Sequence, residues 1–189
     1  MIRENGCYTV FDFETTGLSP ARGGRVIEIG AVRIVNGAID DEFHSLINPG
    51  VPVPWAAQRI HGISTQMLDR EPGPEEVFPQ FIRYIGDSIL VAHNAPFDLR
   101  FFHSELQNLG LKLNNNHLCT LKMSRKLFPG LRNYKLGTLA YHLTGPLAED
   151  VRCHRALDDA RLTAAIWLKI LERNQERRSK SAFVLASGL

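Results

Sequence analysis

Residues Val26–Val35 read VIEIGAVRIV and run directly into Asn36-Gly37. A β-branched run closed by that dipeptide is the strongest short-range signal for a hairpin with a two-residue turn. An apolar run at Cys7–Phe13 precedes it, and a further strand pattern follows from about Ile39 to Ile47. The chain therefore opens with three consecutive strands in an antiparallel meander. Pro49, Pro52 and Pro54 end it, because proline cannot donate to a sheet ladder.

Beyond Pro54 the apolar period lengthens. Trp55, Ile60 and Ile63, then Val77, Phe81 and Ile85, approximate a helical stripe. A short buried strand is expected at Ser88–Ala92. Pro96 then opens a helix whose apolar stripe is Phe97, Phe101, Leu106 and Leu109, with Gly110 at its end. Helices are also expected over Leu118–Leu127, Leu136–Leu143 and Ala156–Leu171, the last spaced to pack one face on a sheet. A meander followed by alternating helices and strands predicts a mixed α/β fold, with a central mixed sheet flanked by helices.

A chain of 189 residues suits one domain. The Gly- and Pro-rich breaks at 17–25, 71–74 and 144–146 are too short for domain linkers. The domain is placed at residues 1–172, with 173–189 a basic, weakly patterned tail expected to be loosely ordered. Lys and Arg exceed Asp and Glu by 22 to 20, which excludes the broad positive field of a duplex-coating protein. Any nucleic-acid partner needs a local site. Cys7, Cys119 and Cys153 are an odd, widely spaced set that suits neither a disulfide framework nor a zinc site, so a reducing cytoplasm is the expected compartment. No apolar run approaches the ~20 residues of a membrane span, and no membrane partner is expected.

The chemistry resides in acids. At the end of the first strand, FDFETTG places Asp12 and Glu14 two residues apart, hence on one strand face. Such carboxylates repel unless a cation sits between them, and hard oxygen ligands suit magnesium or manganese. A solvated edge strand could carry the same triplet, but Val10, Phe11 and Phe13 point to a buried strand, where unpaired carboxylates are costly. Asp98, in AHNAPFDLRFF, stands at a helix start, where the dipole favours an acid and where sheet-mouth sites collect. His154, Asp158 and Asp159, in CHRALDDA, head the last helix.

Taken together and in order, DFET at 12–15, HNAPFD at 93–98 and HRALDD at 154–159 resemble the three exonuclease motifs of the DEDDh family, in its DnaQ-like branch. The likeness runs from about Tyr8 to Leu171 and includes RIHGIS at 59–64 and CTLKMSRKLFP at 119–129. It implies an RNase H-like fold, a 3′–5′ exonuclease, and two divalent cations, Mg2+ or Mn2+, held by Asp12, Glu14, Asp98 and Asp159. It further implies His154 as general base, nucleoside 5′-monophosphates as products, and Thr15, Thr16, Gly17, His61 and Phe97 against the terminal nucleotide. Gly17 could equally serve a turn and Phe97 the core.

Four other readings accompany the resemblance. Glu28, between Ile27 and Ile29, reads as a structural acid, and Arg125, Lys126, Arg132 and Lys135 as a solvated face, with phosphate contact the alternative. Tyr134 is similar to the base of a sister subfamily, a role that His154 fills here. On a regular helix His154 would share a face with Asp158, whereas the motif selects Asp159; a loop before the helix reconciles the two. Asp158 would then point outward toward Arg161.

The expected substrate is a single-stranded or frayed DNA 3′ end. An RNA-trimming enzyme of the same fold and a non-catalytic polymerase accessory subunit are the alternatives. A DNA polymerase is a possible partner, although the short stretch after Leu171 favours a stand-alone exonuclease.

Overall fold

A computed structural model describes residues 6–146 and 154–187. Three strands come first: β1 (Cys7–Thr15), β2 (Val26–Val35) and β3 (Ala38–Leu46). Helices α1 (Trp55–His61), α2 (Thr65–Leu68) and α3 (Pro74–Ile85) lead to β4 (Ile89–Ala92) and α4 (Pro96–Asn108). Then come β5 (His117–Cys119), α5 (Thr120–Leu127), α6 (Leu136–Thr144) and α7 (Ala156–Ser187). The strand order is β3-β2-β1-β4-β5. The meander pairs antiparallel, and β1-β4 and β4-β5 are parallel, so the sheet is mixed as expected.

The hairpin turn follows from its residues. Asn36 and Gly37 have φ of 52° and 80°, the double left-handed conformation that lets a two-residue turn match strand twist. Asparagine tolerates it better than most residues because its side chain can bond locally.

Strand β1 is central and covered on both sides. Phe11 and Phe13 enter one core with Phe78, Phe81 and Phe102, while Tyr8 and Val10 enter the other with Trp167 and Ile170. Tyr8 and Trp167 meet edge to face, with centroids 5.0 Å apart. Full burial of an aliphatic or phenyl side chain contributes roughly 1.5–3 kcal/mol, so the two cores hold β1 rigidly. By alternation, Asp12 and Glu14 continue the Tyr8–Val10 face, toward α7. The strand that carries the acids is thus fixed before any acid is considered.

Two expectations are corrected. The segment from Leu118 does not begin as a helix: His117–Cys119 pairs with Leu90–Ala92 as the parallel edge strand, and the helix starts at Thr120. Three residues are too few to show a period, and only β4 supplies the partner. The last helix also does not stop near Leu171 but continues to Ser187. Ion pairs three residues apart, Lys169–Glu172 and Arg173–Glu176, support its solvated part. Cys7 and Cys119 are free thiols, and Cys153 lies outside the described residues.

Candidate active site

The end of β1 lies against the start of α7. Asp12 pairs with Gly30 and Glu14 with Glu28 on β2, and α7 crosses β2 at that point. A Cβ on Gly30 would collide with the backbone of Ala156 and Leu157. Glycine therefore lets the first turn of α7 press on the sheet beside Asp12.

Since α7 begins at Ala156, His154 precedes the regular helix, with φ of 66°. Its amide donates to Asp159 Oδ2 at 3.2 Å. Glu14, His154 and Asp159 each offer a ligand atom, all within 4.8 Å of one another. Glu14 and Asp159 are each 9% exposed, whereas His154 is exposed to solvent. Asp98, in the first turn of α4, is 3% exposed and accepts hydrogen bonds from its own amide and that of Phe13, between the two β1 acids. Asp158 instead faces Arg161, at 3.2 Å, and Arg161 also binds Glu42 at 2.6 Å.

The electrostatics are those of crowded acids. Asp12 is pushed well above the carboxylate range, first by burial and then by Asp98, Asp159, Glu14 and Glu28. Glu14 is pushed up to about 8, by burial first and then by Asp159, Glu28 and Asp98, against a lowering influence from Arg155. Burial lifts Asp98 to about 8 despite its amide hydrogen bonds, and lifts Asp159 in the same direction against the His154 amide. Only bound cations would let all four ionise together. Clustered carboxylate oxygens suit magnesium or manganese.

Beside the acids lies a largely apolar cavity of about 310 Å3. Thr15, Thr16, Gly17, His61 and Phe97 all line it, together with Glu14. The threonine hydroxyls are committed to the turn: Thr15 Oγ1 donates to Gly17 O at 2.7 Å, and Thr16 Oγ1 accepts from the Arg25 amide at 2.9 Å. Buried His61 is held neutral, chiefly by its burial, and Nδ1 accepts the Ile63 amide at 3.0 Å, so Nε2 carries the proton.

Other candidates stand elsewhere. Tyr134 OH donates to Phe128 O at 2.8 Å, a loop-holding bond, and Arg125, Lys126, Arg132 and Lys135 are exposed. Sequence reasoning missed Gly30. Its only signal was a glycine in the middle of a β-branched strand, a mark of close backbone approach.

The family model described as an exonuclease, RNase_T, matches residues 9–167. The chain belongs to this exonuclease family. Its relatives agree with the motif resemblance. It is 40% identical over 169 residues to the DNA polymerase III subunit epsilon of Aquifex aeolicus, covering 89% of this chain and 82% of that protein. It is 43% identical over 184 residues to the PolC-type DNA polymerase III of Caldanaerobacter subterraneus. That match covers 97% of this exonuclease chain but only 13% of the polymerase's length. A solved structure of Exonuclease X in complex with 5′ overhanging duplex DNA superposes with a TM-score of 0.70 and 32% identity. It covers 87% of this exonuclease and 91% of that chain. The mixed sheet and its flanking helices are the RNase H-like architecture of the DEDDh nucleases.

Proposed function

We propose that this exonuclease hydrolyses the 3′-terminal phosphodiester of single-stranded or frayed DNA and releases nucleoside 5′-monophosphates one at a time. One observation carries the reading: the cluster of Glu14, His154 and Asp159 stands beside a largely apolar cavity lined by Glu14, His61 and Phe97. A cavity of about 310 Å3 lies at the lower end of the range for small-ligand sites, which suits one terminal nucleotide but not a continuous strand. Its apolar wall offers a stacking surface for a base, and stacking tolerates any sequence.

Asp12, Glu14, Asp98 and Asp159 are the residues that hold two divalent ions, Mg2+ or Mn2+. Bound there, such ions would supply positive charge to offset the negative charge developing on the phosphoryl group and the leaving oxygen. The protein performs the remaining work. His61 Nε2–H and Phe97 flank the terminal sugar and base, and Thr15–Gly17 form the turn beneath them. His154, exposed to solvent beside Glu14, accepts the proton of the attacking water. The hydrogen bond that its backbone amide donates to Asp159 ties that base to the metal-binding set.

DNA as substrate is supported by the DNA polymerase names of the relatives and by Exonuclease X bound to DNA. On the same grounds a replicative DNA polymerase is the proposed partner. The test is degradation of matched DNA and RNA oligomers labelled at the 5′ end, with and without magnesium or manganese. A metal-dependent ladder on DNA is the expected result. Immediate release of a labelled 5′ mononucleotide, without a ladder, would overturn the polarity, and faster decay of RNA would overturn the substrate. Retention of a polymerase without nuclease activity would favour an accessory subunit.

A further inference from the structure

We propose that Glu28 is a positioning residue for the reaction: it clamps the segment Arg155–Ala156 to the sheet and so sets where His154 and Asp159 stand relative to Glu14. The inference rests on the reading of His154 and Asp159 as reaction residues. Glu28 has no solvent exposure and stands directly opposite Glu14 in the β1-β2 register. An isolated carboxylate so buried would be costly, yet this one is saturated with donors.

Glu28 Oε1 accepts Arg155 Nη2 at 2.6 Å and Arg155 Nε at 3.1 Å, and His44 Nε2 lies 2.7 Å away. Its other oxygen accepts Arg155 Nε at 3.2 Å and the Ala156 amide at 3.0 Å. Both oxygens are thereby occupied, which leaves no lone pair aimed at a cation, although its charge still acts on Asp12, Glu14 and Asp159. Besides His44 on β3, the donors are the two residues immediately after His154.

His154 itself is in the left-handed region, a strained conformation for a non-glycine residue that persists only when its surroundings over-determine it. Two anchors do so. The His154 amide is held by Asp159, and the next two residues are held by Glu28. Gly30, two residues along the same strand, removes the side chain that would otherwise lift this segment off the sheet. Glu28 and Gly30 together form a seat for the turn that carries the base, and misplacement of a base by about 1 Å can lower a rate about a hundredfold.

The experiment compares Glu28→Gln, which keeps the shape but loses the charge, with Arg155→Ala, which leaves the buried acid in place. His154→Ala serves as the control for the functional reading. In cation-free protein, amide hydrogen exchange at His154 and Ala156 should quicken about tenfold in both variants, while Val10 and Val91 change less than about twofold. In the loaded enzyme, kcat on a short DNA oligomer should fall about tenfold or more with KM within about twofold. Unchanged exchange at 154 and 156, or uniform acceleration that includes Val10 and Val91, overturns the clamp. So does kcat within about twofold of the parent in both variants while His154→Ala is inactive. Full activity of His154→Ala overturns the functional reading instead, and the exchange data then decide the clamp alone.

Discussion

The amide of His154 donates to Asp159 Oδ2 at 3.2 Å, so the proposed base and a proposed metal-binding acid are joined through the backbone. The neighbouring acid, Asp158, turns the other way to Arg161. Asp159→Asn should lower kcat about a hundredfold or more, whereas Asp158→Asn should stay within about twofold of the parent. Steady-state kinetics on a labelled oligomer decides it. The reverse ranking would move the metal-binding role to Asp158.

The crowding of Asp12, Glu14, Asp98 and Asp159 predicts metal dependence. Activity should vanish with chelator and return with magnesium or manganese. Asp12→Ala should be inactive yet at least as heat-stable as the parent without cations, because it removes one of several repelling groups. Full activity in chelator would end the two-cation reading.

The same acids predict an unusual pH response in cation-free protein. Glu14 and Asp98 are pushed up to about 8 from ordinary values of 4.5 and 3.8. Between those limits the folded state holds protons that the unfolded state has lost, so stability should fall as pH rises from about 4 to 8. Glu28 acts with the opposite sign at lower pH. Burial raises it, but His44, Arg155 and the Ala156 amide outweigh burial and lower it to about 2, so its contribution is lost as pH falls from 4.5 toward 2. Calorimetry should show a lower Tm at about pH 8 than at about pH 5 in chelator, and a larger rise with manganese at the higher pH. An equal manganese effect at both would contradict the raised acids.

Gly30→Ala should destabilise the fold by about 1–3 kcal/mol, since its methyl group meets backbone that cannot rotate aside. Gly17→Ala is the contrast: a Cβ there meets nothing within 4 Å, and Tm should hold. Thermal melts of the two variants settle it. A Gly30→Ala protein as stable as the parent would mean that α7 can shift without cost.

The opening meander and the shared face of two of the candidate acids were legible in local pattern, whereas the rest of the candidate site was read from the motif resemblance. The hairpin followed from Asn36-Gly37 after VIEIGAVRIV, and the shared face of Asp12 and Glu14 from strand alternation. Strand β5 was not legible, because three residues carry no period and their partner, β4, lies more than twenty residues earlier. The helical run beyond Leu171 was missed for a different reason: the polar stretch RNQERRSK at 173–180 carries no apolar stripe from which a helical period could be read.

By itself, then, the sequence determined which residue types stand at which strand ends, and hence the kind of chemistry. Period and turn propensity are local properties, readable wherever neighbours in the chain suffice to produce them. Only the tertiary structure decided that Glu14, His154 and Asp159 meet within 4.8 Å, and that Glu28 spends both oxygens on Arg155, Ala156 and His44. Glu28 and Ala156 are 128 residues apart, and their contact exists because a glycine at position 30 lets a helix rest on the sheet. Such contacts depend on packing between distant segments, where burial and charge saturation give a glutamate a role that its neighbours in the chain do not reveal.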